Sequence, residues 1–201
     1  MRIALVFLTA AIMGTYCAEA QEKRAKTEYG KEVILRTDGT WTYVGEYKKD
    51  KKAALAYTGK RGTFAFHLLP DTWKKLDKVE NADAEVGFAH KDGEAFALVM
   101  AERIQVPLAT LKKIAVENWR SVDKNAKVVL DEKRTVNGKE VLCLAAEVES
   151  EGVAFTFFGY YYSSEAGTVQ VLTWTGRNLF KEFKPELEAF LNGFEIIEKK
   201  K

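Results

Sequence analysis

Histidine and cysteine, two side chains common in catalysis and metal binding, are scarce in this sequence. His67 and His90 are the only histidines, and their spacing does not place two ligands on one face of a helix. A zinc site would have to gather both histidines, Cys143 and a carboxylate from separate strands. We therefore predict no metal site and no cofactor.

Nucleophilic catalysis finds equally little support. Cys143 lies between two leucines in a predicted strand, without the flanking glycine or helix N-terminus that usually lowers a thiol pKa. The sequence contains no Gly-x-Ser-x-Gly motif, the turn that presents the serine of many hydrolases. We predict no catalytic residue. A hydrolase built on His67 or on clustered carboxylates remains the alternative; the carboxylates considered are Asp71, Asp77, Glu94 and Glu102.

Nucleotides and nucleic acids are also disfavoured as ligands. Neither the Gly-x-Gly-x-x-Gly nor the Gly-x-x-x-x-Gly-Lys phosphate-binding motif occurs. The formal net charge is only +2, whereas proteins that bind nucleic acid concentrate excess lysine and arginine on one face. We predict no nucleic-acid partner.

Aromatic side chains are the most prominent local feature. Three consecutive tyrosines precede a tryptophan on the next predicted strand, and another tryptophan lies near the start of the domain. Such side chains line apolar grooves that receive a peptide, a lipid or a small molecule. Packing within a sheet buried on both faces is the alternative, and we favour it. The candidate ligand-binding residues are Trp73, Tyr160, Tyr161, Tyr162 and Trp174.

These residues are carried by a series of predicted β-hairpins. Apolar residues alternate over 64–68, where Pro70 ends the strand. Asp92-Gly93 is predicted to join strands 86–91 and 94–101, and Asn137-Gly138 to join strands 127–134 and 139–149. Glu165-Ala166-Gly167 separates strands 153–163 and 168–175. Sequential hairpins of this kind predict an antiparallel sheet.

Two amphipathic helices accompany the strands. Residues 107–123 begin at Pro107 and repeat apolar side chains at three- and four-residue spacing. A second helix starts near Leu179 and is expected to end at Asn192-Gly193. Strands 139–149 and 153–163 are apolar on both faces, so both faces must be covered. We predict an α+β fold with a central antiparallel β-sheet flanked by helices.

Residues 1–20 have the pattern of a secretory signal peptide. Arg2 precedes an apolar run over residues 3–13, and Ala18-Glu19-Ala20 suits a signal peptidase. The run is too short to span a bilayer. We predict a periplasmic or secreted protein with no transmembrane anchor after cleavage. Tyr16 precedes Cys17 where a lipobox needs a small residue, which disfavours lipidation.

Residues 21–52 are predicted to form an N-terminal β-hairpin and a charged linker. Asp38-Gly39 lies between two β-prone runs and suits a tight primed turn. The charge run over residues 48–52 is typical of a solvated linker. We place a boundary near residue 53, so that the main domain covers residues 53–201.

The order of elements over about residues 59–197 resembles that of the PsbP/Mog1-like domains. The resemblance begins with the strand, proline and tryptophan of residues 64–73 and ends at Gly193-Phe194. It implies an α-β-α sandwich and a role in binding or assembly without catalysis. Residues 30–41 are in addition similar to an Asp-Gly-Thr-Trp hairpin found near the N-termini of exported bacterial proteins.

These features together predict an exported, non-catalytic binding or accessory module. Its expected partner is an envelope protein or a small apolar molecule. Besides the hydrolase, a carrier of hydrophobic ligands is kept as an alternative.

Overall fold

The structure is a computed structural model that describes residues 23–27, 32–35, 39, 41–43 and 45–197. It contains thirteen strands and two helices within these ranges. In chain order they are β1 (Lys23–Lys26), β2 (Glu32–Leu35), β3 (Trp41–Tyr43), β4 (Ala54–Thr58), β5 (Phe64–Leu68), β6 (Trp73–Lys75), β7 (Val86–His90), β8 (Ala95–Glu102), α1 (Leu108–Val122), β9 (Lys127–Val136), β10 (Lys139–Ser150), β11 (Val153–Ser164), β12 (Gly167–Gly176), α2 (Phe180–Asn192) and β13 (Phe194–Ile196).

A seven-stranded antiparallel sheet occupies the centre, in the order β6-β7-β8-β12-β11-β10-β9. The Asn137-Gly138 turn joins β9 to β10, and both of its residues have positive φ, at 46° and 78°. Such φ values are those of a primed hairpin turn, for which asparagine followed by glycine is well suited. The predicted α+β fold with a central antiparallel sheet is confirmed.

The two helices cover opposite faces of the sheet. Leu111, Ala115 and Trp119 of α1 are buried in one cluster with side chains of β10 and β11. Phe183, Leu187 and Phe190 of α2 are buried in the other cluster. Both faces of the long central strands are therefore covered. This explains why the side chains that point to either face of these strands are apolar.

Strand β5 belongs to a second, smaller sheet in the order β13-β5-β4. Its Phe66 is fully buried and lies within ring-contact distance of Phe88, Phe190 and Phe194, with centroids 6.2, 5.3 and 5.6 Å away. This aromatic cluster joins the small sheet to α2 and to the central sheet.

Helix α2 ends at Asn192, as predicted, but the glycine that follows is not required as a left-handed helix cap. Gly193 has φ −71° and ψ −12°, so it does not adopt the left-handed cap conformation. A Cβ atom at this position would lie 2.1 Å from the His67 carbonyl oxygen. The glycine is required because two backbone segments approach closely, since the His67 N–H donates a hydrogen bond to the Gly193 carbonyl at 2.9 Å.

The N-terminal hairpin is present and is extended by one further strand. Strand β2 pairs antiparallel with β3 on one side and with β1 on the other. Gly39, in the predicted turn, has φ +82°. Strand β3 also lies beside β9, the edge strand of the central sheet. The predicted signal peptide, Cys17 and Asp38 lie outside the described residues.

The chain after the hairpin is held against the β9–β10 turn. The Tyr47 N–H donates to the Thr135 carbonyl at 2.8 Å, and the Asn137 N–H donates to the Tyr47 carbonyl at 2.9 Å. The Lys49 N–H donates to Asn137 Oδ1 at 3.0 Å. The Asn137 side-chain amide donates in turn to the carbonyls of Asn192 and Phe194. The domain boundary near residue 53 stays a prediction, and the segment before it is anchored at Tyr47 and Lys49.

Within the described ranges, neither helix has the length and apolar character needed to cross a membrane.

Candidate functional site

The three consecutive tyrosines are divided between the two faces of the central sheet. Tyr160 is fully buried on the α2 side, where its hydroxyl donates to Asn192 Oδ1 at 2.9 Å. Tyr161 is buried on the opposite face with α1. Tyr162 is half-buried and again packs on the α2 side, edge-on to Phe194.

The two tryptophans are separated in the same way. Trp73 packs on Phe190 and His90, with ring centroids 4.6 and 5.2 Å apart, on the α2 side. Trp174 is stacked on Phe96 at 5.7 Å, and its register partner Phe157 packs in the cluster beneath α1. The five candidate residues therefore do not surround one groove. Four of them pack against neighbouring rings, helices or buried side chains, and Tyr162 lines an open cavity.

This cavity has a volume of about 890 Å³. It lies between the β11–β12 turn, the β4–β5 turn and the end of β13. Apolar side chains form much of its wall, and one arginine and one glutamate also line it. The lining residues include Arg61, Tyr162, Glu165, Val169, Ile196 and Ile197.

Gly167 shapes one wall of the cavity. It has φ +125°, a conformation that side-chain-bearing residues rarely adopt, and a Cβ atom there would lie 2.1 Å from the Glu102 carbonyl oxygen. Glycine therefore lets the β11–β12 turn lie directly against the end of β8. The sequence placed a turn here, but it did not indicate a cavity beside the turn.

A buried polar network lies under α2, and the sequence analysis did not predict it. The Arg134 guanidinium is 0% exposed and pairs with Glu132 at 2.5 Å and with Glu188 at 2.8 Å. It also donates to the Tyr160 hydroxyl at 3.1 Å and lies 4.5 Å from the centre of the Tyr47 ring. The only sequence signal was two opposite charges, two residues apart, on a strand. This network joins β9, β11, α2 and the N-terminal segment.

Cys143, His67 and His90 do not line the cavity of about 890 Å³. Cys143 is fully buried, and burial raises its pKa above the ordinary value, which disfavours the reactive thiolate. His67 Nδ1 lies 3.3 Å from Glu195 Oε2, and His90 Nδ1 lies 3.4 Å from Asp92 Oδ2. The crevice beside His67 has a volume of about 10 Å³, which is room for about one water molecule. It is too small for a substrate.

Among the described residues, no group of three histidine, cysteine, aspartate or glutamate side chains lies close enough together to hold a metal ion.

Acidification is expected to destabilise the fold through His67. Burial, together with the Lys49 charge, lowers the His67 pKa, although Glu195 opposes the shift. A histidine whose pKa is lower in the folded state contributes stability above its unfolded pKa of about 6.5, and this contribution is lost as the pH falls below it. Urea unfolding at pH 8 and pH 5.5 should show a larger loss of stability on acidification for the wild type than for His67→Gln. Equal losses of stability in the wild type and in His67→Gln would contradict the role assigned to His67.

Comparison with solved structures identifies the architecture. The NMR structure of cyanobacterial PsbP (CyanoP) from Synechocystis has a TM-score of 0.54 and 13% identity, and the match covers 77% of this chain and 99% of that one. The crystal structure of LpqN from Mycobacterium tuberculosis, described as involved in cell envelope biogenesis, has a TM-score of 0.52 and 13% identity over 72% of this chain and 90% of LpqN. The chain has a PsbP/Mog1-like fold.

Sequence comparison adds nothing to this assignment, since no protein-family model and no curated protein matches the chain. At 13% identity the likeness concerns the PsbP-like fold alone. The expectation drawn from the order of elements is thus confirmed for the architecture, and the site must be argued from this chain's own residues.

Proposed function

We propose that this chain is an exported, non-catalytic binding module that holds a small apolar molecule in the cavity beside Tyr162. The observation that carries the proposal is the cavity itself. Its volume of about 890 Å³ lies within the range of roughly 300–1,000 Å³ that is usual for small-molecule sites. Tyr162, Val169, Ile196 and Ile197 supply an apolar wall.

The arrangement of the reactive groups supports a role without catalysis. The buried Cys143 thiol is held in its protonated form. The acidic partner of His67 lies on β13, but the adjoining crevice of about 10 Å³ excludes a substrate. The hydrolase alternative therefore has a histidine–carboxylate pair without a substrate cleft beside it.

Export is part of the proposal and rests on the predicted signal peptide. The envelope role of LpqN, whose structure has a similar fold, is compatible with a module that works outside the cytoplasm. Mass spectrometry of the N-terminal peptide of the protein purified from its host would test export and cleavage. A first residue of Gln21 is expected, and an intact residue 1 in the cell-envelope fraction would contradict cleavage.

Binding in the cavity is tested with N-phenyl-1-naphthylamine, an uncharged apolar probe whose fluorescence rises in apolar surroundings. We expect saturable binding of one probe per chain by the mature wild type. Ala166 lines the cavity on the exposed β11–β12 turn, so Ala166→Trp should fill its mouth and weaken binding by about tenfold or more. Ala82→Trp, on an exposed loop that does not line the cavity, is the matched control and should bind as the wild type does.

A folded wild type that does not bind the probe would contradict the proposal and favour a protein partner. Equal binding by the wild type and Ala166→Trp would place the probe elsewhere and would contradict it as well.

A further inference from the structure

Arg61 differs from the other arginines of the described residues. Each of the others either pairs with a glutamate or is exposed; they are Arg24, Arg103, Arg120, Arg134 and Arg177. Arg61 is half-buried and forms no ion pair with any carboxylate in the described part of the chain. A cation that is partly removed from water has lost some of its hydration, and an anion that approached it would recover that energy. Arg61 lines the cavity beside Tyr162.

The remainder of the wall suits a hydrocarbon chain. Val169 and the half-buried Ile196 are presented by β12 and β13, and Ile197 is 38% exposed at the end of β13. The Tyr162 ring supplies a flat apolar surface, and its hydroxyl forms no hydrogen bond with any described residue. The cavity thus combines one cation with an apolar surface and a free hydroxyl.

We propose that the ligand is an amphipathic single-chain monocarboxylate. Its carboxylate contacts the Arg61 guanidinium, and its apolar chain lies along Tyr162, Val169 and Ile196. This inference rests on the cavity function proposed above and adds the chemical class of the ligand. It assigns Arg61 as the residue that selects an anionic head group.

The positions of the charged groups decide the sign of the ligand's charge. Glu165 also lines the cavity, but it lies on the exposed tip of the β11–β12 turn, where water screens its charge. Arg61 is half-buried, so its electrostatic interactions are screened less. The planar guanidinium fork also matches a carboxylate, with which it can form two parallel hydrogen bonds. A single arginine suits a single negative charge.

The test compares three ligands with the same ten-carbon chain and different head groups. Decanoate, decanol and decyltrimethylammonium are titrated into the mature protein by calorimetry. The two ionic ligands are kept below their micelle concentrations, and decanol is kept below its solubility limit. We expect decanoate to bind about tenfold or more tightly than the other two, which is the usual effect of one charge-assisted hydrogen bond. Arg61→Gln should remove this preference. Lys60→Gln removes the same charge from the exposed neighbouring residue, which does not line the cavity, and should retain it.

The outcomes separate this inference from the function on which it rests. Equal binding of decanoate and decanol, unchanged by Arg61→Gln, would overturn the head-group assignment and leave the apolar cavity as the binding site. Tighter binding of decyltrimethylammonium would overturn it in favour of Glu165. If neither the three ligands nor N-phenyl-1-naphthylamine bound the folded protein, the proposed function itself would be wrong.

Discussion

Phe66→Ala is expected to lower the free energy of unfolding by about 3–5 kcal/mol, the usual range for deleting a buried phenylalanine ring. Phe66 is 0% exposed and lies where β5, α2 and the central sheet meet. Its ring is stacked on Phe190 at 5.3 Å and contacts Phe88 and Phe194. These rings belong to separate elements, so they cannot all move to fill the cavity that the substitution leaves.

Urea unfolding followed by tryptophan fluorescence and by circular dichroism measures this change. Phe66→Leu keeps most of the apolar volume and should cost less than the alanine variant. Phe155→Ala is the matched control, because Phe155 is half-buried near the start of β11 and loses less contact. A loss below about 1 kcal/mol for Phe66→Ala would contradict the central position assigned to this ring.

Arg134→Met is expected to cost about 3–5 kcal/mol, because it leaves buried carboxylates without their cation. The Glu132 side chain is 1% exposed, and that of Glu188 is 11% exposed. Arg177→Met is the matched control, since Arg177 pairs with Glu147 at 3.7 Å on the surface and its side chain is 52% exposed. The control should cost no more than about 1 kcal/mol.

The pH dependence of Arg134→Met distinguishes a lost charge partner from lost packing. Burial already raises the Glu132 pKa in the wild type, and the Arg134 charge opposes the shift. Without the arginine, the folded-state pKa should rise further. A carboxyl with a raised folded pKa destabilises the fold increasingly as the pH rises above its unfolded value of about 4.3. The cost of Arg134→Met should therefore be larger at pH 7 than at pH 5.

A second substitution completes the test. Glu132→Leu combined with Arg134→Met removes both charges of the shorter of the two Arg134 ion pairs, and such replacements are often neutral or stabilising. The double variant should therefore be more stable than Arg134→Met alone. Equal stabilities, together with a cost independent of pH, would show that Arg134 acts through packing only.

Much of the local structure follows from short stretches of sequence. Asn137-Gly138 marked a hairpin because few residues adopt positive φ readily, and the two strands it joins were located to within two residues. Helix α1 was located equally well by its apolar spacing and Pro107. Strands β4 and β6 were missed, because they are short and largely exposed and show no clear alternation.

The candidate site was predicted only in small part. Tyr160, Tyr161 and Tyr162 stood together in the sequence, but successive side chains of a strand point to opposite faces. Tyr161 therefore faces α1, and Tyr160, on the same face as Tyr162, is fully buried. Only Tyr162 lines the cavity. Nothing near Arg61 in the sequence indicates that the distant residues Val169 and Ile196 line the same cavity.

The amino-acid sequence by itself determined the α+β class, the hairpins, the two amphipathic helices and the scarcity of reactive side chains. These properties depend on backbone conformation and apolar periodicity within about ten residues. Tertiary structure decided which side chains share a buried network and which line a cavity. Those contacts join Arg61 to Val169 and Arg134 to Glu188 across long separations in the chain, and they arise only when packing brings the two sheets and the helices together.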